Sequence, residues 1–435
     1  MAKVNIYWMR RDLRFKDNHA LFEALEADEP VVPLFIFDRD ILDELPEDDA
    51  RVTFIYERLE DLRDKIDGQV FEFIYDEPLK AWEQVIEKYE VKKVFANHDY
   101  EPYADERDEQ VRDLLEGHDI VFETFKDQVI FEKLEVAKDD GTAYRVFTPY
   151  KKVWLAKYKK EGEQHFLSEN RLSHILEGQP KFKLPTLKKM GFSGFKYEDM
   201  PTKVVNKRTL QNYEDKRDFP AEEGTTRIGL HLRFGTVSIR DLVAKAMDES
   251  EVYLSELIWR EFYAMILANF PHVVSEAFKA KYDNVPWRND EEGFEKWCKG
   301  ETGYPMVDAG MRQLNQTGYM HNRVRMVVAS FLTKHLLIDW RWGEAYFAEK
   351  LLDYELASNN GGWQWAAGTG TDAQPYFRVF NPESQFNKFD PDEHYVKKWV
   401  PEYGTDDYVE PMVEHKSARQ RAIDTYKEAL DKADG

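Results

Sequence analysis

Apolar residues follow two rhythms along this chain. Up to residue 128 they gather in short runs: VNIYWM (4–9), VVPLFIFD (31–38), VFEFIY (70–75), KKVFAN (92–97) and DIVFETF (119–125). Such runs predict strands covered on both faces, as in a parallel sheet. Between them, HALFEALEADE, DDARVTFIYERLEDLRDKI, PLKAWEQVIEKY and ADERDEQVRDLLEG repeat apolar residues at three- and four-residue spacing, which predicts helices. The alternation implies a doubly wound, Rossmann-like α/β domain over residues 1–130. From 131 to 200 Gly141, Pro149, Gly162, Pro180, Pro185 and Gly191 break the pattern, and this segment reads as a connector. Residues 201–435 are helical in rhythm, rich in Trp and Tyr, and predict an all-α C-terminal domain closed by the amphipathic helix SARQRAIDTYKEALDKADG. One stretch fits neither rhythm. In NNGGWQWAAGTGTDAQPYFRVFNP (359–382) two indoles stand one residue apart behind two amides and two glycines, and no helix or strand pattern accounts for the mixture.

With 435 residues, 42% hydrophobic and 33% charged, the chain is globular and long enough for two cores. Its single cysteine, Cys298, excludes a disulfide framework and a thiolate metal site, and no metal ligand set is expected. A buried thiol in a reducing cytosol is the plain reading. The opening MAKVNIYWMRRDLRF has no signal-peptide pattern, and no apolar run approaches the roughly 20 residues of a membrane span. A soluble, cytoplasmic protein is expected. The formal charge of −22 argues against general affinity for nucleic acid, so a polyanionic partner must meet a local basic patch.

Candidate chemistry lies in the helical half. Gly224-Thr225-Thr226-Arg227 offers hydroxyls, backbone N–H groups and a guanidinium ahead of a helical run, the makings of a phosphate cradle. The same hydroxyls would serve as ordinary helix caps. In ELIWREFYAMIL, Glu256, Trp259, Arg260 and Tyr263 share one helical face. That face could stack a base on Trp259 while Glu256 accepts hydrogen bonds and Arg260 meets a phosphate. An amphipathic helix with an internal Glu256–Arg260 ion pair has the same spacing. In GYMHNRVRMVVASF, Asn322, Arg325 and Met326 share a face with Arg323 beside it, and a core stripe flanked by a salt bridge is again the alternative.

RRDLRFKDNHAL, KRDFPAEEGTTR, HLRFGTVS, ELIWREFY, GETGYPMVDAGMRQLNQTGYMHNRVRM, DWRWGE, NNGGWQWAAGTGTDAQPYFRVFNP and MVEHKSAR together resemble the photolyase/cryptochrome family, in order from residue 3 to about 428. Within it the chain is most similar to class I cyclobutane pyrimidine dimer photolyases. The (6-4) enzymes carry histidines at the positions of Asn322 and Met326. The resemblance implies an α/β antenna domain, a helical domain holding non-covalent FAD, and light-driven repair of pyrimidine dimers in DNA by a monomer without an obligate protein partner.

The unusual stretch then has a use. An isoalloxazine ring has flat apolar faces and a polar edge, so its pocket needs aromatic walls, amides, and glycines where backbone comes close. The resemblance places Asn359 opposite the flavin N5, where plant cryptochromes have Asp and animal ones Cys; an amide adds no titrating charge. It assigns Tyr213, Thr225, Thr226, Arg227, Ile228, Gly229, Tyr253, Glu256, Arg260, Asn322, Arg325, Asp353, Tyr354 and Glu355 to the cofactor. Gly229 departs from the Ser of many relatives and offers only its backbone N–H. Trp363, Trp340 and Trp297 match the relay that brings electrons from the surface, although each alone reads as a core aromatic. Glu256, Trp259, Asn322, Met326 and Trp365 match the dimer pocket, and Arg217, Arg260, Arg323, Arg378 and Gln385 match contacts to the DNA backbone. Tyr100-Glu101-Pro102-Tyr103-Ala104 lacks the Asn-Glu pair of folate-using relatives, so a second antenna chromophore could be a deazaflavin or a flavin, or the site could be empty. The alternative function is a photosensory cryptochrome; Asn359, the intact dimer pocket and the lack of a C-terminal tail favour the enzyme.

Overall fold

All the apolar runs of the first rhythm pair in one parallel sheet. β1 (Ala2–Met9), β2 (Val31–Asp38), β3 (Glu72–Asp76), β4 (Tyr89–Asn97) and β5 (Val121–Phe125) lie in the order β3-β2-β1-β4-β5. The register sets Asn5 beside Val31, Leu34 beside Glu72 and Val94 beside Phe122. The computed structural model describes residues 1–197 and 199–434. Helices α1 (His19–Glu26), α2 (Ala50–Lys65), α3 (Pro78–Lys88) and α4 (Pro102–Glu116) alternate with the strands as the spacing predicts. Because the strand order reverses at β1, the crossovers fall on both faces of the sheet and the strands are buried from either side. Val4, Ile6, Val32, Leu34 and Val94 are fully buried, and Trp8 meets Trp82 edge to face at 5.4 Å. Each such side chain contributes about 1.5–3 kcal/mol by leaving water.

The chain forms two compact units, and neither is continuous in sequence. The first comprises 1–132, 158–203 and 228–245; the second comprises 133–157, 204–227 and 246–435. Segment 131–200 is thus shared between them. A buried charge cluster holds 228–245 within the first unit: Arg240 Nε lies 2.8 Å from Asp17 and its Nη2 2.7 Å from Asp127, while Arg14 Nη2 lies 2.7 Å from Asp127. Hydrogen-bonded opposite charges offset much of the desolvation that each would suffer alone.

The second unit is helical. It includes the start of α5 (Phe147–Glu161), then α6 (Glu251–Asn269), α7 (Pro305–Thr317), α8 (Asn322–Ser330), α9 (Trp340–Lys350), α10 (Leu356–Ala367) and α11 (His415–Asp434). Its core holds Trp297, Met306, Val324, Phe331, Trp340 and Trp363. A π-helical turn, Phe331–Leu336, follows α8 and ends at Leu337 with φ of +54°. The first half of the unusual stretch proves to be helical, since NNGGWQWAA lies inside α10. Periodicity missed it because α10 packs against α6, α8 and α9, so it has no single apolar stripe. The remainder, from Gly368 to the next helix at Pro382, is irregular.

Candidate functional site

Three helices of the second unit each turn one stripe toward the same cavity. α6 contributes Glu256, Trp259, Arg260 and Tyr263; α8 contributes Asn322, Arg325, Met326 and Ala329; α10 contributes Ser358, Asn359, Gly362 and Trp363. In α6 and α8 the spacing is i, i+3, i+4, i+7, the repeat that keeps side chains on one helical face, and in α10 two adjacent pairs one turn apart share a face in the same way. Arg217, Phe347, Leu351, Asp353, Tyr354, Glu355 and Trp365 complete a space of about 400 Å³. Small-molecule sites span roughly 300–1,000 Å³.

Three ion pairs stand in its wall. Arg217 Nη1 is 2.6 Å from Glu256, Arg260 Nη2 is 2.6 Å from Glu355, and Arg325 Nη2 is 2.9 Å from Asp353. The partner of Glu256 is therefore Arg217, 39 residues away in sequence, and the spacing within α6 could not show it. Burial lowers the pKa of Arg217, but Glu256 outweighs it and the net shift is upward. Asn359 donates from Nδ2 to the carboxylate of Glu344 at 2.9 Å and to its carbonyl at 3.1 Å, which leaves its own Oδ1 as an acceptor. Burial raises the pKa of Glu344, and the Asn359 amide pulls against that.

The aromatic residues have distinct settings. The Trp259 indole is stacked on Phe147 at 3.8 Å and 9°, so a ligand can use only its other face. Phe147 has no sequence signal, since it lies in the segment read as a connector. Trp363 lines the cavity, and Trp297 meets it edge to face at 6.0 Å. Gly343, one turn beyond Trp340, is pressed so close to Trp363 that a Cβ would come within 2.1 Å of the indole. All three tryptophans of the expected relay are buried, with Trp297 at 0% exposure. Trp297 is therefore not itself open to the surface. Trp287 is half-buried, and its neighbours run beside the chain leading into Trp340: Arg288 N donates to the Leu337 carbonyl at 2.8 Å and Asp339 N to Asn289 Oδ1 at 3.1 Å.

Several expected residues fall outside the lining. Tyr213, Thr225, Thr226, Arg227 and Tyr253 belong to a separate cluster, with Tyr213 and Tyr253 edge to face at 5.1 Å, Thr226 Oγ1 3.3 Å from Tyr253 Oη, and Arg227 over the Tyr319 ring. Burial pushes the Tyr253 phenol up to about 12. Ile228 and Gly229 belong to the first unit. Arg323 is 2.8 Å from Asp218 and lies over Phe389, while Arg378 is exposed and Gln385 sits on the helix Pro382–Phe389. Ala329, Phe347, Leu351, Ser358 and Gly362 line the cavity without having been singled out, although Ala329 continues the stripe that the spacing of α8 already showed.

The first unit has a cavity of its own, about 180 Å³, beyond the carboxyl ends of β1, β2 and β4. This is where a doubly wound sheet presents a ligand crevice, at the reversal of strand order. Trp8, Phe35, Phe37, Tyr103 and Phe234 give it aromatic walls. Tyr103 Oη donates to Asp38 at 2.7 Å, and Glu101 is held by Arg11 and Arg233. Burial works against the Asp99 charge, but Arg11, Arg233 and Arg10 outweigh it and hold the carboxyl below its usual range.

Comparison with known proteins places the whole chain. Residues 5–168 match the DNA photolyase family model, and residues 253–405 match the model of the FAD binding domain of DNA photolyase. The deoxyribodipyrimidine photo-lyase of Vibrio cholerae is 36% identical, over 98% of this chain and 100% of that protein. A bacterial class III photolyase from Agrobacterium tumefaciens superposes with a TM-score of 0.83 at 30% identity, over 99% of this chain and 98% of the other. An archaeal photolyase from Sulfolobus tokodaii, solved with two FAD molecules, gives 0.81 at 33% identity, over 98% and 100%. On the match of both models, near-complete coverage and shared fold, the chain belongs to the DNA photolyase family.

Proposed function

We propose that this protein is a deoxyribodipyrimidine photo-lyase that repairs cyclobutane pyrimidine dimers in DNA under blue light, with non-covalent FAD in the 400 Å³ cavity. One observation carries the reading: a fixed amide, a glycine facing open space and an indole converge with Glu256, Trp259 and Met326 in a single cavity. The residues fit a flavin. A Cβ built on Gly362 meets nothing within 4 Å, so the wall there is clear for a flat ring, and Asn359 keeps an acceptor for a ring N–H. Trp363, Arg260, Glu355, Arg325, Asp353, Tyr354 and Asn322 would complete its surroundings, and the Tyr213, Thr225, Thr226, Arg227, Tyr253 cluster would hold the phosphate end. When bound, FAD supplies the light-driven electron that splits the dimer.

The remaining work falls to the protein. The dimer leaves the helix by base flipping, the route that photolyases use as a class, at a cost of a few kcal/mol. Trp259, backed by Phe147, would stack on it, Met326 and Trp365 would wall it in, and Glu256 and Asn322 would meet its polar edge. Arg217, Arg323, Arg378 and Gln385 would hold the flanking backbone. Trp363, Trp340 and Trp287 would conduct electrons between cavity and solvent. The 180 Å³ cavity would seat a second, light-gathering chromophore. A cytoplasmic monomer accords with the single cysteine and with the absence, among the described residues, of any helix long and apolar enough to cross a membrane.

The test is repair of a duplex oligonucleotide carrying one dimer, in light and in darkness, together with release of about one FAD per chain on denaturation. Light-dependent repair is expected. Dimer binding without repair would favour a photosensory role, and a protein unable to take up FAD would refute both.

A further inference from the structure

Arg217 and Glu256 form a 2.6 Å ion pair in the cavity wall, with side chains 26% and 32% exposed. Each is also the natural partner for part of a DNA substrate. The guanidinium suits a phosphate, and the carboxylate suits the N–H edge of an extruded pyrimidine. The pair commits Nη1 of the guanidinium and Oε1 of the carboxylate to each other, so a phosphate that docks on Nη1 must displace Glu256. Glu256 has no second hydrogen-bond partner among the described residues, so a phosphate that takes Arg217 leaves a half-buried carboxylate unpaired. Losing one partner of such a pair costs more than the pair itself contributes.

We infer that the Arg217–Glu256 pair is a specificity-determining latch, which makes capture of a backbone phosphate by Arg217 conditional on an extruded dimer satisfying Glu256. The inference rests on the photolyase reading and deepens it. Undamaged DNA offers Arg217 a phosphate but offers Glu256 nothing, so its binding is penalised. A flipped dimer brings imide N–H groups to the freed carboxylate, and both halves of the pair find new partners. Discrimination then comes from a penalty on the wrong substrate as much as from contacts to the right one. Arg217, which by resemblance only positions the backbone, thereby takes part in lesion recognition through Glu256.

The experiment is a double-mutant cycle on the full FAD-loaded chain, with Glu256→Gln, Arg217→Ala and the double variant. Affinities for duplexes with and without one dimer are read by fluorescence anisotropy over a range of salt. Glu256→Gln keeps the side-chain shape, and bound FAD reports that each variant is folded. Opening the latch should tighten undamaged-DNA binding about fivefold, the scale of a partly exposed ion pair. It should also steepen the salt slope by about 0.9, one added phosphate contact. In the Arg217→Ala background the same substitution should gain less. Simple repulsion between Glu256 and DNA predicts the opposite order, because without Arg217 the carboxylate is no longer neutralised. An equal or larger gain in the Arg217→Ala background would therefore overturn the latch. If the unaltered protein shows no preference for dimer-containing duplex, the photolyase reading itself fails, and the two failures are told apart.

Discussion

Neighbouring glycines in α10 do different work. A Cβ on Gly361 would lie 2.2 Å from the Tyr263 ring, whereas one on Gly362 would meet no atom within 4 Å. Gly361→Ala must displace a packed aromatic, and should cost about 1–3 kcal/mol in a denaturant melt of the flavin-free protein. Gly362→Ala should do the reverse. In that melt it should be more stable by up to about 1 kcal/mol, the helix propensity gained over glycine. Its methyl group would enter the space assigned to the flavin, so the FAD content should fall. Unchanged FAD content with the gained stability would move the ring away from Gly362. Nothing in the sequence distinguishes the two glycines, because only the packing of α6 on α10 separates them.

At the scale of elements, the tryptophans follow the order in which segments meet. α9 is pressed on Trp363 through Gly343, and residues 287–289 run beside the chain entering α9. Trp287→Phe should therefore slow photoreduction of the oxidised protein by external reductant at least tenfold, with repair intact once the protein has been reduced chemically. Trp297→Phe should change photoreduction little, since a fully buried indole offers an external donor no access. The reverse outcome in flash photolysis would return Trp297 to the relay.

α11 adds a pH-dependent joint. His415 Nδ1 is 2.8 Å from Nε2 of buried His335, while Tyr426 and Lys334 both donate to the Ala367 carbonyl at the end of α10. Burial, followed by His415 and Arg421, pushes the pKa of His335 down to about 3. Its folded value thus lies below its unfolded one, near 6.5, and the unfolded chain takes a proton that the folded chain refuses. Stability should be full above pH 6.5 and fall as the pH drops toward 3, by up to about 2 kcal/mol from this group between pH 6.5 and 5. His335→Gln should flatten that limb in urea melts at the two pH values. The flattening should be partial, because burial also pushes His321 down to about 4.

The elements themselves were unevenly legible. The five strands and the helices between them could be read because strands buried on both faces give continuous apolar runs. The stripes of α6 and α8 were equally plain. α10 was not, since three neighbours erase its stripe, and neither the Arg217–Glu256 bond nor the backing of Trp259 by Phe147 leaves a local trace.

The whole molecule carries a formal charge of −22, so its approach to DNA depends on few cations. Arg323 is already paired with Asp218 at 2.8 Å, and a phosphate must replace that carboxylate. Arg323→Ala should weaken binding to damaged and undamaged duplex alike and flatten the salt slope by about 0.9. Asp218→Asn should tighten both. If lesion preference fell with the slope unchanged in Arg323→Ala, the arginine would be reading the lesion instead.

The buried cluster of Arg14, Asp17, Asp127 and Arg240 also sets a timetable. During synthesis all five strands are available once Phe125 has been made, yet Arg240 lies 113 residues beyond Asp127. At about 5–20 residues per second the ribosome needs roughly 6–23 s to supply it. Through that interval Asp127 has Arg14 but the Asp17 carboxylate lacks its guanidinium, and the nascent sheet waits with an uncompensated charge in its interior. Chains stalled short of residue 240 should be cut readily by protease within the sheet unit, and chains stalled well past 245 should resist. The newly made protein would thus seal its sheet only as the helical half begins to be made.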